Sequence, residues 1–188
     1  MEAGKRMTFD GCSYLVVSRY LRTRGGQRQR LTTEEDGKTQ KGRAFYLVED
    51  DSGARFWVKE YTDMSFGTGG IQREYDRMVG CDGVVVTSDD GWVRAVKPLC
   101  LSANRILMEY CGVGFRSFAE ARAALSPCTR KAIRWLVSTW LAHPETVPNY
   151  DLSSNNVMVS SLSGGGVGVV LVDLEVSELK RSVSSVLA

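Results

Sequence analysis

The chain has 188 residues, 43% hydrophobic and 24% charged, which supplies a packed core and excludes a disordered tail or a large multidomain machine. Its 24 Lys and Arg against 22 Asp and Glu leave a formal charge of +2, no field for gripping nucleic acid or anionic lipid, so neither nucleic acid nor membrane is expected as a partner. Five cysteines, Cys12, Cys81, Cys100, Cys111 and Cys128, are odd in number and contain no CxxC pair, which suits neither a disulfide framework nor a four-ligand zinc site and indicates a reducing compartment.

Met1 to Asp10 carries Lys5 and Arg6 without the apolar run of a signal peptide, and no stretch approaches the ~20 apolar residues of a membrane span. A soluble, cytoplasmic monomer is expected, with export through a different kind of N-terminal address left open. Tyr14 to Arg19 is a β-branched and aromatic run that predicts a strand. The polar stretch from Arg22 to Lys41 then reads as a long exposed loop, and its Arg-rich part from Arg19 to Arg30 reads as solvated rather than RNA-binding, because no aromatic residue is interleaved after Tyr20.

Arg43 to Glu49 and Ala54 to Tyr61 predict an antiparallel hairpin turned by Asp50-Asp51-Ser52-Gly53. Ile71, Tyr75, Met78 and Val79 then follow the period of a helical face. Gly83 to Thr87, Trp92 to Val96 and Arg105 to Tyr110 are further strand candidates, and the first ~110 residues are expected to form a five-stranded sheet with one helix. Ile133, Leu136, Val137, Trp140 and Leu141 predict a second helix closed by Pro144 and Pro148, with Trp135 and Trp140 in the core. Val157 to Val159 and Val167 to Val172 predict a last hairpin. The fold class expected is α+β, with a β-rich first part and an α-rich second.

Chemistry concentrates at a few of these places. Lys59 sits in an alternating strand among Phe56, Trp57, Val58 and Tyr61, where a charged ammonium needs a partner, and Glu74 on the following helix is a carboxylate able to hold it. An exposed, unrelated Lys and Glu is the plainer alternative. Asp151-Leu152-Ser153-Ser154-Asn155-Asn156 places a carboxylate and an amide five residues apart in one loop, and Asp173 ends the strand that pairs back on it. Such hard-oxygen groups suit magnesium with phosphate oxygens, although this loop alone reads first as a capped turn. His143, the single histidine, reads as a cap or packing residue ahead of Pro144, which sets aside a Ser-His-Asp hydrolase.

In this order the pieces resemble the protein-kinase-like family, from about Gly37 to Glu175. Phe56-Trp57-Val58-Lys59 is similar to the strand that carries the ATP lysine, Glu74 matches its helix glutamate, and Asp151 and Asn156 match the catalytic-loop Asp and Asn. Asp173 in VDLE matches the metal-binding Asp of DFG. Ile106-Leu107-Met108-Glu109-Tyr110-Cys111-Gly112 is similar to a kinase hinge, which implies Met108 as gatekeeper and the backbone of Glu109 and Cys111 facing adenine. The departures are specific. Gly37 to Gly42 keeps only the outer two glycines of GxGxxG, Asn149-Tyr150 replaces His-Arg, and Ser153 replaces the usual Lys.

Only thirteen residues follow Glu175, too few for an activation segment and later helices, and this minimal architecture resembles YrbL-like bacterial proteins and small type III effector kinases of the HopBF kind. The resemblance implies a bilobal fold: a five-stranded N-lobe over 1–108, a hinge at 109–112 and a reduced helical C-lobe over 113–188. ATP and Mg2+ are the implied cofactors, bound between the lobes. Lys59 would bind the α and β phosphates, Gly37 and Gly42 would flank their loop, Asn156 and Asp173 would hold the metal, and Asp151 would act as base. The implied activity is a protein kinase, on Ser or Thr rather than Tyr, with a host protein such as a heat-shock chaperone as substrate for a secreted effector. A small-molecule, aminoglycoside-kinase-like phosphotransferase and a pseudokinase binding module are the alternatives.

Overall fold

The computed structural model describes residues 3–22, 28–30, 43–61, 68–146, 152–174 and 182–188. They form an α+β protein with two compact units, one made of Met1–Tyr75 and Lys97–Tyr110, the other of Asp76–Val96 and Cys111–Ala188.

The first unit contains β1 (Arg6–Phe9), β2 (Cys12–Arg22), β3 (Arg28–Arg30), β4 (Arg43–Glu49) and β5 (Arg55–Tyr61). Helix α1 (Thr68–Gly80) begins in this unit and runs into the second. After β6 (Val85–Ser88) and β7 (Gly91–Ala95), the strands β8 (Pro98–Ser102) and β9 (Arg105–Glu109) return to the first unit. Its sheet runs β1-β2-β4-β5-β9-β8, with β3 paired to β2. The β1–β2 turn is Asp10-Gly11, both at positive φ (46° and 78°), the backbone that a two-residue hairpin loop requires.

Strand β1 comes back against β8, so the sheet curls round on itself. One side of every strand on that path therefore faces a common interior: Met7 and Phe9, Val16, Ala44, Tyr46 and Val48, Val58, Leu107 and Cys100 form one buried cluster. Cys100 donates from Sγ to Asp10 Oδ2 at 3.2 Å across the closing strands, and burial first, then this contact, pushes its thiol up to about 11. Residues of opposite parity on β4 and β5, including Phe45, Lys59 and Tyr61, lie on the other side of the sheet.

The second unit adds β10 (Arg116–Ser117), α2 (Phe118–Ala121), α3 (Pro127–Ala142), β11 (Val157–Ser161), β12 (Val167–Leu171) and α4 (Val183–Val186). Its sheet order is β10-β11-β12-β7-β6, and β7 pairs with β12 in parallel, Val93 opposite Val169. Gly91 enters this pairing at φ 143°, where an added Cβ would stand 1.9 Å from the Val167 carbonyl oxygen, so no side chain fits. Helix α3 starts because Ser126 caps it, accepting the Thr129 N–H at 3.0 Å, with Pro127 at its first turn. Its buried stripe is Ile133, Leu136, Val137 and Trp140, each of which contributes about 1.5–3 kcal/mol by burial. Trp140 also donates from Nε1 to the Val84 carbonyl at 3.1 Å.

Several expectations are corrected. The sheet holding Lys59 has seven strands, not five, and β6 and β7 leave it for the second sheet, because the pairing of β7 with β12 and the packing of β6 and β7 on α3 outweigh local order along the chain. Residues 76–96 fall in the second unit, which contains a five-stranded sheet beside its helices. Arg28–Arg30 form a strand inside the stretch expected to be loop. Trp135 is 51% exposed, one position off the buried stripe of α3. The cysteines other than Cys111 read from their residue type as small buried hydrophobes, yet only Cys81 and Cys100 are buried, and Cys12 and Cys128 are exposed. Among the described residues no helix is long and apolar enough to cross a membrane.

Candidate functional site

Strand β5 carries Lys59 into a fully enclosed position, and α1 brings Glu74 to it. Lys59 Nζ donates to Glu74 Oε1 at 2.9 Å and to Oε2 at 2.7 Å, with side-chain exposures of 0% and 1%. The ammonium lies 5.8 Å from the ring centroid of Phe45, its cross-strand partner on β4, and 5.3 Å from that of Tyr61. The Tyr61 hydroxyl donates to Glu74 Oε2 at 2.7 Å, so this carboxylate receives both the cation and a phenol. Sequence reasoning found the Lys59–Glu74 pair but passed over Tyr61. The missed signal was its position two residues beyond Lys59, on the same face of an alternating strand.

On the opposite face of β5, Glu60 accepts from the Tyr46 hydroxyl through Oε2 at 2.6 Å and from Arg105 Nε through Oε1 at 2.7 Å. Arg105 is its register partner on β9. Met108 is buried on the same strand, beside Trp57 and Pro98. Glu109 is tied to Lys97 twice: its N–H donates to the Lys97 carbonyl at 3.0 Å, and its Oε1 accepts the Lys97 N–H at 2.7 Å.

The second group lies in the second unit, at one end of the β11–β12 hairpin. Asn156 immediately precedes β11 and Asp173 lies two residues past the end of β12, and both are buried, at 4% and 6% exposure. The pairing continues past Val157 and Leu171, since the Val172 N–H donates to the Asn156 carbonyl at 2.9 Å, which puts Asn156 beside the backbone that leads into Asp173. The 152–156 loop is closed by the Asn156 N–H donating to the Ser153 carbonyl at 3.0 Å and braced by the Ala119 N–H on Ser154 O at 3.1 Å. Leu152 and Leu174, fully buried, anchor its two sides. Asp173 takes φ 62°, a left-handed conformation that costs a non-glycine residue about 1–3 kcal/mol. Ser153 Oγ is enclosed and has no hydrogen-bond partner among the described residues.

Lys59 and Glu74 are thus together in the first unit, with Met108 and Glu109 on β9 of that unit. Asn156 and Asp173 are together in the second, which also contains Cys111. Gly37, Gly42 and Asp151 lie outside the described residues. His143 caps the end of α3, its Nδ1 accepting the Glu145 N–H at 3.3 Å. Among the described residues no group of three or more His, Cys, Asp or Glu side chains is arranged to hold a metal. Comparison with protein-family models and with curated proteins gives no match to this sequence.

Proposed function

We propose that this chain is an ATP- and magnesium-dependent phosphotransferase of the protein-kinase-like kind, a minimal protein kinase acting on Ser or Thr hydroxyls rather than Tyr. The observation that carries the reading is the sealed Lys59–Glu74 pair. Enclosing two opposite charges costs several kcal/mol of desolvation per ion and adds little stability over apolar packing, so such a pair is better explained by a ligand. A lysine held by a helix carboxylate is the arrangement that binds the α and β phosphates of a nucleotide in protein kinases.

The donors of the second group fit magnesium. The Asn156 amide and the Asp173 carboxylate are hard oxygen ligands, of the kind that share the ion with phosphate oxygens and water. Magnesium held there would neutralise charge on the transferring phosphate. Asp151 is assigned to orient the acceptor hydroxyl and take its proton, and Gly37 and Gly42 to flank the loop over the phosphates. Met108 and the backbone of Glu109 and Cys111 are assigned to the adenine side, where the Glu109 N–H takes no part because Lys97 occupies it. The acceptor in this reading is a cytoplasmic protein, or a host protein such as a heat-shock chaperone if the chain is delivered as an effector. Ser153 in the Asp151-Leu152-Ser153 pattern favours a second reading, a small-molecule phosphotransferase.

Incubation with γ-labelled ATP, magnesium and a eukaryotic cell extract tests these readings. Labelled protein supports the kinase, labelled metabolites the small-molecule enzyme, and no transfer alongside intact nucleotide binding a pseudokinase. Asp151→Ala should lower turnover about 100- to 10,000-fold with nucleotide affinity retained. Asp173→Ala should abolish magnesium-dependent nucleotide binding in calorimetry, and unchanged binding there removes Asp173 from the metal site.

A further inference from the structure

The geometry points to Tyr61 as a positioning residue for the phosphate-binding lysine, held in place by Asn104; this rests on the reading of Lys59 given above. Tyr61 meets both members of the ion pair. Its hydroxyl donates to Glu74 Oε2 at 2.7 Å, the oxygen that Lys59 Nζ also contacts at 2.7 Å, and its ring centroid lies 5.3 Å from the ammonium. A carboxylate gripped only by a flexible lysine can rotate about its terminal bond. A second donor on one oxygen fixes the plane of the group, and with it the place of the ammonium.

Tyr61 is itself clamped from outside β5. Its N–H donates to the Asn104 carbonyl at 2.9 Å, and Asn104 Nδ2 donates to the Tyr61 carbonyl at 2.7 Å, a reciprocal pair that ends the strand. Asn104 sits in the two-residue β8–β9 turn, whose other member, Ala103, holds φ 48°. An alanine in the left-handed region is unusual, because glycine adopts this conformation without penalty. The strained turn presents both the carbonyl and the amide of Asn104 to one residue. The sequence of support is therefore Ala103–Asn104 turn, Tyr61 backbone, Tyr61 hydroxyl, Glu74, Lys59. Only the last would touch nucleotide.

A residue acting through Lys59 affects the phosphates and not the base, which separates positioning from general structural support. Calorimetry with magnesium-ADP, and with adenosine by competition, reads this out for the wild-type chain, Tyr61→Phe and Asn104→Ala. Tyr61→Phe should weaken magnesium-ADP about 3- to 10-fold, as expected for one hydrogen bond to a charged group acting a step away from the ligand, with adenosine changed by less than about twofold. Asn104→Ala should show the same selectivity with a smaller factor, and it carries the comparison alone if Tyr61→Phe does not fold. Wild-type affinity for magnesium-ADP in both variants, or equal loss of both ligands, overturns the positioning role while leaving the nucleotide site standing. A wild-type chain that binds neither ligand overturns the nucleotide site and this role together.

Discussion

Lys59 and Glu60 are neighbours on β5, and the two faces of that strand build the same motif from different partners. On each face one carboxylate receives a cation and a phenol: Glu74 receives Lys59 and Tyr61, and Glu60 receives Arg105 and Tyr46. The surroundings differ. The Lys59–Glu74 pair is sealed at 0% and 1% exposure and joins a strand to a helix, whereas Arg105 and Glu60 keep 27% and 11% and join register partners on adjacent strands. A partly wetted cross-strand pair fixes register at modest cost. A sealed pair between elements is harder to justify by stability alone, which is why the first face and not the second points to a ligand.

Substitutions test that contrast. Glu74→Ala strands an enclosed ammonium and should cost about 3–5 kcal/mol in urea unfolding. Replacing both partners, Lys59→Met with Glu74→Leu, should recover most of that loss yet leave magnesium-ADP unbound. A double variant less stable than either single one would show the pair to be structural. Glu60→Ala should cost less, about 1–3 kcal/mol, since Arg105 can rehydrate and the Tyr46 hydroxyl loses one acceptor. Equal losses for Glu60→Ala and Glu74→Ala would erase the difference between the faces.

The smallest effect is alkaline. Burial first, and then the hydrogen bond and charge of Glu60, hold the Tyr46 phenol well above its ordinary 10.0. Above pH 10 the unfolded chain releases this proton while the folded chain keeps it, so stability falls as pH rises, by up to ~1.4 kcal/mol per pH unit for this group, and its contribution is whole below pH 10. Tyr46→Phe should flatten that slope in stability measurements between pH 9 and 11. An unaltered slope would assign the alkaline loss to other groups.

What the sequence made legible follows from range. The β4–β5 hairpin, α1 and α3 rest on local alternation, turn chemistry and caps, and the Lys59–Glu74 pairing follows from a strand and a helix only fifteen residues apart. The Asn156–Asp173 end was legible because a hairpin must bring its flanks together. Membership of β6 and β7 was not, because β12, the parallel partner of β7, lies more than seventy residues away and nothing local selects it. Strand β1 had a local signal that went unused, the Asp10-Gly11 pair between Phe9 and Cys12. Neither the Asn104 clamp nor the left-handed Asp173 has a marker in residue type, since each depends on where a distant backbone arrives.

The return of β1 onto β8 has a consequence for behaviour in concentrated solution. An open sheet ends in two rows of unpaired amides and carbonyls that invite invasion by a strand from another molecule. Here the two terminal strands of the path shelter one another, with Asp10 and Cys100 bonded across the gap. The approach covers part of both terminal strands without pairing them, so in this unit topology narrows the edge that another strand could reach.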